Sequence, residues 1–173
     1  MGNAKVPGSA REATLARMMQ LYGGQLVGLC TGLLNDHMLA QDVVQETFIK
    51  AYKHMDTFRG EREESEKAWL TRIAVNLCRD QQRSRWFRFV DRNVSYDMLP
   101  EQGAPVEETH IELYHAVTKL PTKYREVILL HYYQDMDTAE IAAALHVSLS
   151  SVYRRLEKAR AKLKDQLERW DEA

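Results

Sequence analysis

Apolar side chains recur at steps of three and four residues through most of the chain, which is the spacing of one buried face of an α-helix. The pattern predicts helices at about residues 14–33, 38–54 and 67–85, a stretch without periodicity at 90–108, and shorter helices from Ile111 onward. The predicted core of the first helix comprises Leu15, Met18, Met19, Tyr22, Leu26, Leu29, Cys30 and Leu33. Gly23 and Gly24 interrupt this pattern at a cost of about 1 kcal/mol each. The apolar spacing continues on both sides of them, so one long helix is still expected and the fold class is all-α.

Composition divides the chain into two small helical domains. The region without periodicity contains Pro100, Gly103 and Pro105 and is rich in Asp and Glu, as is typical of an exposed linker. We therefore expect a flexible N-terminus at residues 1–13, a first domain at 14–89, a flexible acidic linker at 90–108 and a second domain at 109–170. The predicted core of the second domain includes Leu113, Tyr114, Val117, Leu120, Val127, Ile128, Leu130 and Tyr133.

The second domain ends in a predicted helix-turn-helix. Asp137 or Thr138 can cap a short Ala-rich helix, with Glu140 near the N3 position of a capping box. His146 stands at the turn, where a left-handed backbone is expected and His is better tolerated than a β-branched residue. Ser148 then caps a longer amphipathic helix.

The outer face of that last helix is rich in cations and hydroxyl groups, with Glu157 the one acid between residues 148 and 164. Its members are Ser150, Ser151, Arg154, Arg155, Lys158, Lys162 and Lys164. Such a face could simply be solvated. Its combination with two capped helices joined by a tight turn favours contact with phosphates and base edges in a DNA major groove.

One face of the second predicted helix combines acidic and amide side chains with a single aliphatic residue. Asp42, Gln45, Glu46 and Ile49 recur at steps of three and four residues. A solvated helix face explains this pattern. Docking on a basic protein surface explains it as well, because the charges would orient the partner and Ile49 would anchor it.

The third predicted helix carries an aromatic and basic face made of Trp69, Arg72, Asn76, Arg79 and Arg83. Arginines then alternate with three aromatic residues at 83–89. Each aromatic residue alone could belong to the core. Interleaved with arginines, these rings favour a surface on which unpaired bases stack, and the Asn76 amide could read the edge of one base.

Charge and composition exclude several classes of protein. The net charge is −1, so the chain is not a histone-like polycation, and its basic residues are concentrated on particular faces. Cys30 and Cys78 lie in apolar helical contexts and are expected as reduced core thiols. Neither a membrane-spanning run nor a signal peptide is evident, which predicts a cytoplasmic protein without direct membrane insertion. The six histidines are scattered and no phosphate-binding loop or catalytic spacing stands out, so no enzyme activity, cofactor or metal is expected.

Four segments together resemble one family, the bacterial RNA polymerase sigma factors of the sigma-70 type, in the extracytoplasmic-function (ECF) group. They are residues 40–52 (AQDVVQETFIKAY), 68–80 (AWLTRIAVNLCRD), 120–130 (LPTKYREVILL) and 138–164, and the likeness extends over residues 15–167. The first and last segments are specific when they occur in this order. The resemblance implies a region 2 domain, a region 4 domain, and core RNA polymerase (the β′ clamp and β subunits) and promoter DNA as partners.

The resemblance also implies roles for particular residues. Asp42, Gln45, Glu46 and Ile49 match the helix that docks on the β′ clamp. Trp69, Asn76, Arg79 and Asp80 match the helix that captures the non-template strand of the −10 element, with Asn76 facing a flipped-out base, and Arg72 and Arg83 share that face. Tyr153, Arg154, Arg155 and Lys158 match positions that enter the −35 major groove, flanked by Ser150 and Ser151. Tyr153 and Glu157 depart from the residues common at their positions.

The resemblance further implies that the acidic linker threads the RNA exit region and that an anti-sigma protein holds the factor inactive. An alternative is a dimeric helix-turn-helix regulator that acts without core polymerase. That alternative explains the second domain and leaves both surfaces of the first domain without a use.

Overall fold

The structure, a computed structural model, describes residues 8–58, 65–91 and 108–171, and their regular elements are helical. The chain forms two compact units, Met1–Val94 and Ser95–Ala173. The first contains α1 (Gly8–Leu34), α2 (His37–Lys53), a 3-10 turn (Met55–Thr57) and α3 (Glu66–Asp91). The second contains α4 (Glu108–Lys119), α5 (Thr122–Ile128), a π-helical turn (Leu129–Tyr133), α6 (Thr138–Leu145) and α7 (Leu149–Asp171). The predicted all-α fold with two helical units is confirmed.

The core of the first unit lies where α1, α2 and α3 pack together. Leu29, Ala51, Leu70 and Val75 are fully buried there, as expected from the helical periodicity. Cys30 and Cys78 are buried in the same core, which confirms the prediction of core thiols. The helix α1 continues through Gly23 and Gly24 without a break. Packing on two other helices therefore outweighs the low helix propensity of the glycines.

Ion pairs between distant segments fix the ends of these helices. The Asp36 carboxylate caps α2 by accepting a hydrogen bond from the Leu39 N–H at 2.9 Å, and its second oxygen accepts one from Arg85 at 2.6 Å. Both Glu66 oxygens accept hydrogen bonds from Arg17, at 2.5 and 2.9 Å. The capping N–H and then Arg85 lower the pKa of Asp36, and the Arg17 hydrogen bond lowers the pKa of Glu66.

In the second unit α5, α6 and α4 each pack against α7. Val127, Leu130, Ile141, Val152 and Ala159 form its fully buried core. Because one face of α7 is committed to this core, its opposite face is left to solvent.

The helix-turn-helix has the predicted caps. The Asp137 carboxylate accepts a hydrogen bond from the Glu140 N–H at 2.8 Å, and the Glu140 carboxylate accepts one from the Asp137 N–H at 2.9 Å. His146 ends α6 with a left-handed backbone, φ 54° and ψ 45°. The Ser148 hydroxyl oxygen accepts a hydrogen bond from the Ser151 N–H at 3.2 Å. The predicted capping box, turn conformation and second cap are all confirmed.

Several predicted boundaries are wrong. Helix α1 begins at Gly8 rather than Thr14, because residues 10–13 favour helix and Arg11 forms an ion pair with Asp56. Residues 8–13 of the predicted flexible N-terminus are thus part of α1, while residues 1–7 lie outside the described residues. Helix α3 extends to Asp91, since residues 86–91 contain no Gly or Pro to end it. Helices α3 and α4 include residues 90, 91 and 108 of the predicted linker, whereas residues 92–107 lie outside the described ranges, so the linker itself stays a prediction.

Some predicted core positions are exposed. They are Met19 in α1, Leu113 and Tyr114 in α4, and Tyr133 in the π-helical turn. The apolar stripe of each element is wider than the area that its neighbours cover, so the residues at the edge of the stripe remain at the surface. Met19 lines one surface groove, and Leu113 and Tyr133 line another.

Candidate nucleic-acid and protein interfaces

The outward face of α7 presents its cations to solvent. Arg154 and Lys158 are exposed, Arg155 is half-buried, and none of the three forms an ion pair among the described residues. The Arg154 guanidinium donates a hydrogen bond to the Ser151 hydroxyl at 3.4 Å. Cations without a carboxylate partner are available to an external anion. This face therefore has the charge and exposure that contact with a polyanion requires.

Tyr153 lies on the same face and departs from its cationic character. Its ring is 57% exposed, and its hydroxyl accepts a hydrogen bond from the Thr138 hydroxyl at 3.2 Å. This bond joins the outer surface of α7 to the first turn of α6 and fixes the orientation of the ring. Ser150 is exposed and Ser151 is half-buried beside it. All six side chains predicted for the −35 site thus lie within nine residues of α7, between Ser150 and Lys158.

The acidic face of α2 is accessible and is continuous with an apolar groove. Asp42 and Gln45 are exposed, Glu46 is half-buried, and Ile49 is 47% exposed. Gln45 and Ile49 line a groove of about 390 Å³ whose other walls are Leu15, Met19, Phe48, Tyr52 and Lys53. Leu15 and Met19 come from α1. Both residues were predicted to belong to the core, and their place on this surface was not predicted.

The face of α3 differs from its prediction at one residue. Trp69 is only 5% exposed, and its ring stacks on Phe58 with centroids 4.7 Å apart. A ring buried against another aromatic residue has no open face on which a base can stack, so Trp69 offers no stacking surface in this structure, and its match to the −10 helix stays a prediction. Phe58 precedes the residues at 59–64 that lie outside the described ranges. The periodicity within α3 carried no signal of this contact.

The remaining residues of that face are accessible. Arg72, Asn76 and Arg79 are half-buried, whereas Asp80 and Arg83 are exposed and joined by a hydrogen bond of 2.6 Å. Asn76, Arg79 and Arg83 lie at steps of three and four residues along α3, so the structure does bring them to one side of the helix. The predicted aromatic side chains at residues 86, 87 and 89 lie outside the described side chains.

A second apolar groove lies in the C-terminal unit. Its volume is about 690 Å³, and its walls include Leu113, Tyr132, Tyr133, Leu163 and Leu167. The Arg160 guanidinium donates a hydrogen bond to the Tyr132 hydroxyl at 2.7 Å on its rim. Three of these side chains, Leu113, Tyr132 and Tyr133, are more than 40% exposed. Exposed aromatic and aliphatic side chains around a concave surface are typical of a protein interface.

Within residues 8–58, 65–91 and 108–171, no cluster of His, Cys, Asp and Glu is arranged to hold a metal ion. Across the same ranges, none of the helices combines the length and apolar character needed to cross a bilayer.

The fold and these surfaces define a class: an all-helical DNA-binding protein of two units, one of which contains a helix-turn-helix with a cationic outer face. Comparison with known protein families identifies the family within this class. The family Sigma-70 region 2 matches residues 18–88, and the family Sigma-70, region 4 matches residues 110–163.

Individual proteins agree with these family matches. The chain is 30% identical over 170 residues to the ECF RNA polymerase sigma factor SigW of Bacillus subtilis, covering 90% of both chains. It is 33% identical over 160 residues to the ECF sigma factor SigL of Mycobacterium tuberculosis, covering 88% of this chain and 89% of SigL. The sigma factor RpoE of Bartonella quintana, solved in complex with the anti-sigma factor NepR, superposes with a TM-score of 0.74 at 25% identity. That match covers 88% of this chain and 96% of RpoE.

The chain belongs to the sigma-70 family of RNA polymerase sigma factors, in its ECF group. It is therefore a transcription initiation factor, and sigma factors are non-catalytic regulators. The dimeric regulator that acts without polymerase is not favoured, because region 2 occupies the first unit.

Proposed function

We propose that the two units share promoter recognition, with α7 binding the −35 duplex and α3 binding the opened −10 strand, while α2 docks on core polymerase. The observation that supports this proposal best is the capped helix-turn-helix, on whose outer face Arg154, Arg155 and Lys158 form no ion pair among the described residues. The proposed division of work requires no covalent chemistry by the chain, so we propose that it has no enzyme activity. Because its partners are polymerase and chromosomal DNA, we place its action in the cytoplasm.

At the −35 element, Arg154 and Lys158 would contact base edges and phosphates, with Ser150, Ser151 and Arg155 beside them. Arginine suits guanine because its two parallel N–H groups match the O6 and N7 acceptors. Tyr153, held by Thr138, would place an apolar ring against a thymine methyl group or a sugar. A tyrosine cannot read the bases that an arginine reads at the same position. The −35 sequence should therefore differ from that of relatives with a cation there.

At the −10 element, Asn76 would hydrogen-bond a base that has left the stack, and Arg72, Arg79 and Arg83 would follow the strand backbone. An amide offers both a donor and an acceptor to a base edge. Trp69 is assigned a supporting role here, because its buried ring packs the start of α3 against Phe58. Asp80 would orient Arg83 through their hydrogen bond. Capturing unpaired bases in this way offsets the few kcal/mol that unstacking costs.

For polymerase docking, the acidic residues of α2 would orient the β′ clamp, and the groove beside them would hold an apolar side chain. Ile49 lies at the junction of these two features, exposed and lining the groove. Met19 of α1 would contribute from the opposite wall. We assign the larger apolar groove of the second unit to a helix of the β subunit. It is concave and aromatic, and its walls include none of the six residues proposed for the −35 contact between Ser150 and Lys158.

Two further roles follow from the family. We propose that the linker between the units follows the RNA exit region. We also propose that an anti-sigma protein regulates the chain, since the similar RpoE was solved with such a protein. The two apolar grooves are the surfaces that such an inhibitor would cover, because covering them would block polymerase docking.

Size-exclusion chromatography with and without purified bacterial core polymerase tests the docking proposal. The chain should co-elute with the core enzyme, and the Ile49→Ala variant should do so less completely. A chain that migrates as a dimer and never enters the polymerase peak would contradict the proposal.

A further inference from the structure

A small polar concavity lies between α5 and α7, beside the recognition face. Its volume is about 280 Å³, and its walls are Lys123 and Tyr124 of α5 and Ser151, Arg154, Arg155 and Lys158 of α7. Four of the six are cations and none is an acid. No functional residue was predicted on α5, so Lys123 and Tyr124 add a second helix to the surface proposed for DNA.

The residues of α7 that line this concavity are spaced like one side of a helix. Arg154, Arg155 and Lys158 lie three, four and seven residues after Ser151, so the four side chains lie on the same side of α7. Among the described residues, Lys123 forms no ion pair with a carboxylate, and the same holds for the three cations of α7. Cations held close together repel one another, and an anion between them removes that repulsion. The concavity is thus complementary to a compact anion.

Tyr124 forms the floor and restrains the position of Lys123. The ring is buried, and the Lys123 ammonium lies 5.0 Å from its centroid. The ammonium of Lys162 lies 5.9 Å from the same centroid. Both distances are within the range of a cation–π contact. The aromatic floor therefore keeps a flexible lysine near the mouth of the concavity, which reduces the entropy lost when that lysine binds an anion.

We infer that Lys123 and the α7 cations form a clamp for one backbone phosphate of the −35 duplex. This inference rests on the proposed function, because it places the DNA on α7. A recognition helix lies in the major groove, and elements beside it contact the sugar-phosphate backbone at the groove edge. Lysine on a neighbouring helix acts there as a point charge, whereas the arginines of α7 can also read bases. The clamp sets the register of α7 without reading sequence.

The test uses holoenzyme assembled from the full chain and core polymerase, with Lys123→Gln, Lys123→Arg and, as a matched control, Arg169→Gln. Arg169 is an exposed cation on α7 that pairs with Asp165 outside the concavity. Affinity is measured on promoter DNA in which single phosphates flanking the −35 element are replaced by neutral methylphosphonates. Wild type should lose affinity several-fold at one particular linkage, and Lys123→Gln should be weaker on unmodified DNA but insensitive to that linkage.

The dependence of affinity on salt gives a second readout. The slope of log affinity against log salt should fall by about one for Lys123→Gln and stay unchanged for Lys123→Arg and Arg169→Gln. If Lys123→Gln keeps the wild-type slope and the wild-type sensitivity to every linkage, the clamp is wrong. Loss of affinity in Lys123→Arg equal to that in Lys123→Gln would also overturn it.

Two further measurements distinguish the phosphate clamp from a failure of the proposed −35 surface and from a site for free phosphate. Arg154→Ala in the same assay tests the proposed −35 surface. If Arg154→Ala binds promoter DNA more weakly and Lys123→Gln does not, only the clamp is wrong. If both variants bind promoter DNA like the wild type, the proposed −35 surface is wrong as well. Inorganic phosphate is the other source of the same anion. A phosphate-dependent rise in melting temperature that Lys123→Gln abolishes, without sensitivity of the wild type to any linkage, would overturn the assignment to DNA.

Discussion

At the scale of single residues, the proposed DNA contacts depend on whether the charge, amide or ring of each side chain is accessible to solvent. Arg154 satisfies that condition, since it is exposed and bonded only weakly to Ser151. Trp69 does not, because its ring is buried against Phe58. Helical spacing assigned Trp69 and Arg154 each to a predicted binding face. Spacing therefore identifies a face, whereas contacts with neighbouring side chains decide which residues of that face can bind.

Replacing Arg154 by Ala should weaken binding of the −35 duplex by about 1–3 kcal/mol, the range for losing a bidentate contact with a guanine. Footprinting of the holoenzyme would show reduced protection confined to the −35 region. The control is Arg169→Ala, which removes the same charge from the far end of α7 and should leave protection intact. Full protection with Arg154→Ala would exclude the assigned role.

Replacing Asn76 by Ala should lower open-complex formation at cognate promoters without changing affinity for core polymerase. The amide is assigned to one flipped-out base, so its effect should vanish on a promoter that lacks that base. Permanganate reactivity of the opened strand, measured on normal and abasic templates, checks both statements. A variant that loses core affinity to the same extent as activity would show that Asn76 acts through the fold instead.

At the scale of elements, caps and ion pairs join helices that are distant in sequence. Asp36 links the start of α2 to Arg85 in α3, and Glu66 links the start of α3 to Arg17 in α1. Both carboxylates have lowered pKa values in the folded state. Their stabilisation is therefore complete above the ordinary values of 3.8 and 4.5, and it is lost as pH falls through the lower folded values.

The double variant Asp36→Asn with Glu66→Gln should make the stability of the first unit less sensitive to acid. Hydrogen exchange of the α1–α3 amides between pH 7 and pH 3 measures this locally. Asp36→Asn keeps a capping oxygen, whereas Asp36→Ala removes it and should cost about 1 kcal/mol more at neutral pH. An unchanged acid dependence in the double variant would show that other groups determine it.

Much of this organisation was predictable from local sequence. The caps at Asp137 and Ser148 and the left-handed turn at His146 depend on residues within a few positions of each other, so a linear pattern contains them. Contacts between distant segments were not predictable in this way. The Phe58–Trp69 stack, the groove that places Met19 beside Ile49, and the concavity shared by Lys123 and α7 all depend on how helices pack.

At the scale of the whole molecule, the proposal gives the chain two surfaces for DNA and separate surfaces for polymerase. We expect Ile49→Asp to reduce affinity for core polymerase at least tenfold, because a carboxylate would be desolvated in an apolar contact. Binding of an isolated −35 duplex by the same variant should be unchanged, since α2 belongs to the other unit. Fluorescence anisotropy with labelled core enzyme and labelled duplex measures the two affinities separately. Equal loss in both assays would indicate misfolding, and no loss in the first would contradict the docking surface.

Mapping of RNA 5′ ends in a reaction of purified core polymerase, genomic DNA fragments and nucleotides, with and without the chain, tests the central claim most directly. We predict new start sites that appear with the chain, lie downstream of one shared pair of sequence elements, and disappear with Arg154→Ala or Ile49→Asp. An identical set of start sites with and without the chain, from enzyme that is active with another sigma factor, would contradict the account.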